Sequence, residues 1–152
     1  MSHRSSKIRG GPGTDSFFAA VGLNDVTTIN QNEQVTVAFW NRVFGARDPA
    51  GAVAQYVGST YTQHNPDTAD GPAAFIQSMV ELLRRTPELR AEIKHVVTDG
   101  DFVVIHNHIT SQPGDRGLAG FDLFRLQDGK IVEHWDARQQ VPEHPANANT
   151  MF

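Results

Sequence analysis

Residues Gly117–Arg138 read G-L-A-G-F-D-L-F-R-L-Q-D-G-K-I-V-E-H-W-D-A-R. Two runs with strand character, Leu118–Leu126 and Lys130–Arg138, flank Gln127-Asp128-Gly129. An Asp-Gly pair between such runs predicts a tight β-hairpin, because glycine tolerates the positive φ that the turn needs. Alternate side chains of a strand share a face. Leu118, Asp122, Phe124 and Leu126 therefore fall on one side, and Phe121, Leu123 and Arg125 on the other. Asp122 is a carboxylate among large apolar side chains. Desolvation there raises a carboxyl pKa, which makes Asp122 a candidate acid/base. On the return strand Val132, His134, Asp136 and Arg138 share one face, and Ile131, Glu133 and Trp135 the other.

Working outward, Phe102–Thr110 and Leu89–Thr98 also alternate, and Asp99-Gly100 between them is a second turn of the same kind. Phe102, Val104, His106 and His108 are expected on one face of their strand, with Val103, Ile105, Asn107 and Ile109 opposite. Ala91, Ile93, His95 and Val97 are expected to share a face of the preceding strand. Upstream the period changes to that of helices. Asn30–Gly45 carries Val35, Phe39 and Val43 at helical spacing, widened by Trp40 and Phe44, with Gly45 as the stop. Asp48-Pro49 predicts an N-cap and first turn for a short helix to Val57. Ser59–Asn65 has strand character and ends at Pro66. Pro72–Arg85 is a third helical stretch, ended by Thr86-Pro87. Helices followed by a four-stranded antiparallel meander predict an α+β domain, with the helices on one face of a curved, mainly antiparallel sheet. We place this domain at residues 30–141, after a partly disordered N-terminal arm at 1–29 and before an irregular tail at 142–152.

The composition narrows the function classes. The chain has 152 residues, which suits one domain with a sizeable core. The 13 Lys and Arg are scattered, with no basic stripe interleaved with aromatics, so a nucleic-acid partner is not expected. The absence of cysteine removes disulfides, thiolate metal sites and a cysteine nucleophile. No stretch approaches the roughly 20 apolar residues of a membrane span. The reading is a cytoplasmic protein with no membrane partner.

With Y-T-Q-H-N-P at Tyr61–Pro66, D-G-P-A-A-F at Asp70–Phe75, F-D-L-F-R at Phe121–Arg125 and G-K-I-V-E-H-W-D at Gly129–Asp136, the chain resembles the SnoaL-like polyketide cyclases. They lie in the superfamily named after nuclear transport factor two, beside ketosteroid isomerases and limonene epoxide hydrolases. The Q-H-N-P and E-H-W-D segments point to the subgroup described as predicted aldol-condensation enzymes. The resemblance runs from about Asn30 to the C-terminus. It implies a cone-shaped α+β barrel with a deep pocket between sheet and helices, and a homodimer joined through the sheets. It also implies an intramolecular aldol ring closure of a hydrophobic carbonyl substrate without metal or cofactor. Asp122 matches the position of the family's general acid/base.

Aldol chemistry needs a base for the proton α to a carbonyl and donors for the enolate oxygen. Asp122 serves as base, or when protonated as acid; its structural alternative is a pairing with His134 or Arg125. His64 ends a strand before a loop, a frequent place for site residues. His106 and His108 share a face and reach a cavity if that face is the inner one. His134 and Asp136 could form an oriented pair. Tyr61, Trp40, Phe102, Phe124, Asp136 and Trp135 are the candidate substrate-binding residues. His106-x-His108 with His64 or His134 and an aspartate could also mimic a metal triad, but without a second tight motif the expectation is no metal. A non-catalytic binding module, and an epoxide hydrolase or dehydratase in the same pocket, are the alternatives.

Overall fold

Helical and strand periods in the sequence become three helices on one face of a five-stranded sheet. The computed structural model describes residues 23–152, with side chains described from residue 31 onward. The expected N-terminal arm lies, over residues 1–22, outside the described residues. Its last residues are helical: helix α1 spans Leu23–Trp40, beginning before the expected Asn30. The chain then runs through a π-helical turn at Asn41–Gly45, α2 at Pro49–Tyr56, β1 at Val57–Gln63, α3 at Pro72–Arg85, β2 at Arg90–Asp99, β3 at Phe102–Thr110, β4 at Leu118–Gln127 and β5 at Lys130–Gln140. Among the described residues no helix is long and apolar enough to cross a membrane.

Local chemistry explains the element ends. The Asp48 side chain accepts the Gly51 N–H at 2.8 Å and Pro49 opens α2, as an N-cap and N1 proline should. The turn between β4 and β5 pairs Gln127 with Lys130, leaving Asp128 and Gly129 at φ 52° and 70°. Two positive φ values in a two-residue loop match the strand twist, which is why Asp-Gly serves there. In the π-helical turn the Ala46 N–H reaches back five residues to the Asn41 carbonyl at 2.9 Å. That widened turn carries Phe44, whose ring lies 4.6 Å from Trp40.

The strand order is β1-β5-β4-β3-β2. The antiparallel meander β2–β5 is as expected. The fifth strand, β1, joins it parallel to β5, a crossover pairing that strand periodicity does not reveal. The sheet is mixed and open, with β1 and β2 at its edges, so it does not close into a barrel.

Two bulges alter the expected faces. A register break between Ile93 and His95 turns His95 and Val97 outward while Ala91, Ile93 and Val96 pack on the core. A second break leaves Val132 as an extra residue on β5, because Leu126 pairs with Ile131 but Arg125 with Glu133. Ile131 thereby joins the inner face that His134 and Asp136 occupy further along. The core between helices and sheet gathers Phe39, Trp40, Val43, Val103, Ile105, Phe124, Leu126 and Ile131. Buried polar groups tie the layers: Trp40 Nε1 donates to the Ala91 carbonyl at 3.0 Å, and Asn32 Nδ2 to the Gly100 carbonyl at 3.2 Å.

Ile131 is fully buried at this face change. Ile131→Ala should destabilise the fold by about 2–5 kcal/mol in urea unfolding, because the rigid sheet cannot close over the void.

Candidate active site

Asp122 lies at the centre of β4 on the face beneath the helices, and only 2% of its surface is exposed. A buried carboxylate needs partners, and it has three. Asn107 Nδ2 on β3 donates to Oδ2 at 2.7 Å, and His134 Nε2 on β5 meets Oδ1 at 2.9 Å. The Arg138 guanidinium reaches Oδ1 more loosely, at 3.4 Å. Gly120 makes the Asn107 contact possible: a Cβ there would come within 2.7 Å of Asn107 Oδ1.

The second layer fixes protons. His134 Nδ1 faces Gln63 Oε1 at 2.9 Å, and that oxygen also accepts the Asn65 backbone N–H at 3.0 Å. Gln63 therefore presents an acceptor, and His134 Nδ1 must carry a hydrogen. Its Nε2 also faces an oxygen, so a proton lies in the bond between Nε2 and Asp122 Oδ1. Asp136 is held separately. Asn65 Nδ2 donates to its two oxygens at 2.8 and 2.9 Å, and Arg138 Nη1 to Oδ2 at 2.5 Å. Asp67 N–H donates to Asn65 Oδ1 at 2.8 Å, which sets the amide with its nitrogen toward Asp136.

Tyr61 stacks near His134 with 6.3 Å between ring centroids, and its buried hydroxyl has no partner in bonding geometry. Burial first, and then the charges of Asp122 and Asp136, push its pKa far above the usual phenol value; the Gln63 side chain offsets this only in part. The hydroxyl keeps its proton and remains a potential donor.

Asp122, His134, Gln63, Asn65, Asp136 and Arg138 border a small chamber of about 50 Å³, walled on its apolar side by Phe39, Trp40, Phe75 and Phe124. A wider cavity of about 460 Å³ opens between α3 and the ends of β3–β5. The two share Phe44, Met79 and Arg138 as walls.

The structure brings together part of the predicted set. Asp122, His134, Asp136, Trp40 and Phe124 border the chamber, and Tyr61 is buried beside it. His64, His106, His108, Phe102 and Trp135 are not with them, because strand parity turns them to the outer face. His64 stacks on Trp135 at 4.5 Å and meets Glu133 Oε1 at 2.9 Å. That hydrogen bond, followed by the one from Arg125, holds the Glu133 carboxyl below its ordinary value. His106 lies against Phe121 at 4.4 Å and shares a 3.1 Å contact with His95. Its pKa is lowered by burial first and by His95 second. His108 bonds the Arg116 carbonyl and packs on Phe152. The metal triad built on His106 and His108 is thus split across the sheet. Asp122, His134 and Asp136 each offer an atom within 4.8 Å of the others, a spacing that could hold a metal ion. Arg138 already supplies a cation between the two carboxylates.

Sequence reasoning missed Asn107, Gln63, Asn65 and Arg138 as site residues. Parity carried the signal for all four, since Arg138 alternates with His134 and Asp136. Asn107 alternates with Val103, Ile105 and Ile109, while Gln63 and Asn65 continue the face of buried Tyr61 and leave His64 outside.

Residues 37–134 match the SnoaL-like domain family. No functionally curated protein matches the chain significantly in sequence. Solved structures share its fold. TsrD from Streptomyces laurentii is 20% identical, with a TM-score of 0.60 over 72% of this chain and 88% of its own. A candidate ketosteroid isomerase from Kribbella flavida is 16% identical, with a TM-score of 0.62 over 82% and 89%. A candidate polyketide cyclase from Bacillus cereus is 20% identical, with a TM-score of 0.60 over 78% of each chain.

Because Gly120 leaves the room that Asn107 fills, Gly120→Ala should overpack this wall and cost about 1–3 kcal/mol in thermal or urea unfolding. The Asn107 side-chain amide signals in NMR spectra should shift as its bond to Asp122 is displaced.

Proposed function

The chain belongs to the SnoaL-like domain family, and on that premise we propose that it is a cyclase- or isomerase-type enzyme acting by acid/base chemistry on a hydrophobic carbonyl compound. Intramolecular aldol closure is the reaction that suits the site best. The observation that carries this reading is the pair of buried carboxylates with different partners around one chamber: Asp122 bonded to His134 and Asn107, Asp136 to Asn65 and Arg138.

Enolisation and aldol addition each need an acid at the carbonyl oxygen and a base at the neighbouring carbon. The proton held between His134 and Asp122 is the one available to a carbonyl oxygen, and Asp122 takes it back in the return step. Asp136, hydrogen-bonded but not proton-sharing, is the base. Each carboxylate oxygen has room for more than one donor, so the bonds observed do not block either role. Arg138, bonded to both carboxylates, holds Asp136 in place beside the chamber. Two carboxyl groups given separate roles by their surroundings follow a general pattern of acid/base sites.

The test needs no natural substrate. In deuterated buffer the protein should accelerate exchange of the methyl hydrogens of 2-acetylnaphthalene, a ketone on a flat apolar body. Asp122→Asn and Asp136→Asn should each lower that rate by roughly 100-fold or more, the usual worth of a positioned acid or base. His106→Ala, on the outer face, should leave it unchanged. Exchange at the buffer rate with the wild-type protein, or full activity in Asp122→Asn, would sink the assignment.

We propose also that two copies pair through the outer face. Val97, Phe102 and Phe121 there are 62%, 40% and 53% exposed, more apolar surface than a solvated sheet face ordinarily shows. Light scattering should give twice the chain mass, and Phe121→Glu should reduce it to the single-chain mass.

A further inference from the structure

The two cavities differ in kind, and their difference selects among carbonyl compounds. The outer one, about 460 Å³, has the size of a small-molecule site and is walled mainly by Phe44, Met79, Leu82, Leu89, Ile109 and Leu118. The inner one, about 50 Å³, admits only a few water-sized groups. A ligand spanning both therefore has a bulky apolar body and a compact head that passes Phe44, Met79 and Arg138.

Charge then restricts the head. Asp122 and Asp136 both border the chamber, and Arg138 contacts both of them. Arg138 is the only Lys or Arg among the described residues that line either cavity. At the outer cavity, Asp115 adds a further carboxylate. The Ser111 N–H and hydroxyl and the Gly117 N–H hold its carboxyl below the usual range. A ligand carboxylate entering here would meet acidic groups and find no uncommitted guanidinium or ammonium. The His134 ring nitrogens face Gln63 and Asp122.

We propose that the site selects uncharged ketones or aldehydes whose carbonyl is a narrow terminal head on an apolar body, and rejects the corresponding carboxylates, with Asp136 the specificity-determining residue. The inference rests on the chamber being the reacting site. In a reaction sequence, a substrate born as a free acid would have to be esterified, reduced or decarboxylated before it reached this protein.

The matched probes are 2-acetylnaphthalene and 2-naphthoate, which share one body and differ only in the head. In isothermal titration calorimetry at neutral pH the ketone should bind at least tenfold more tightly. Asp136→Asn frees Arg138 from one of its two carboxylates and should strengthen naphthoate binding at least fivefold, narrowing the ratio. Equal or tighter binding of naphthoate by the wild-type protein overturns the proposal, as does failure of both probes to bind at millimolar concentration. An Asp136→Asn variant that folds, by circular dichroism, and keeps the wild-type ratio removes Asp136 from the role. Selective ketone binding without deuterium exchange would leave this selectivity standing and refute the acid/base reading, whereas exchange without discrimination would do the reverse.

Discussion

A buried carboxylate at the middle of the sheet is the constraint around which the site is arranged. Removing Asp122 from water without partners would cost several kcal/mol, enough to consume much of the stability of a domain this size. The chain answers with donors from its neighbouring strands: Asn107 from β3 and His134 from β5, with Gln63 at the end of β1 holding His134. This hydrogen-bonded row crosses four adjacent strands, so a one-residue slip in any of them would break it. The network therefore adds a polar specification of register to the apolar one. It also explains local oddities that packing alone would not favour, such as the glycine at position 120 and the extra residue at Val132.

The same sheet carries two chemistries because its two faces are read by alternate residues. Inside, isolated polar groups sit among aliphatic and aromatic walls, and every one of their charges is bonded. Outside, His64, His95, His106 and His108 lie among Trp135, Phe121 and Phe152, in stacked contacts open to solvent or to a partner. Histidine content alone therefore says little about the site. His134, on the inner face, differs from these in having a carboxylate partner as buried as itself.

Much of this was legible in the sequence, and the failures have physical causes. The helices at Pro49 and Pro72, the two Asp-Gly hairpins and the inward face of Asp122 all follow from local rules of capping, turn chemistry and period two. The parallel pairing of β1 with β5 is a long-range choice, and no local rule reports it. Bulges are harder still. An extra residue near Val132 reverses parity within a strand, which is how Ile131 and His134 come to share a face although their numbers say otherwise. In Gln63-His64-Asn65 the imidazole drew the functional expectation on the strength of its chemistry. The geometry instead uses the two amides on either side, because they share a face with Tyr61.

Asn65 shows how much such an amide can determine. Its backbone N–H fixes Gln63 as an acceptor, which requires a hydrogen on His134 Nδ1 and so puts a proton between His134 and Asp122. Its side chain, oriented by the Asp67 N–H, holds both oxygens of Asp136. One residue thus sets the proton of the first carboxylate and the position of the second. It can do so because Pro66 follows it: proline has no N–H with which to extend the β1–β5 ladder, so the chain turns away just where the amide is needed. The different hydrogen-bonded surroundings of the two aspartates are in that sense written into a turn at the end of β1.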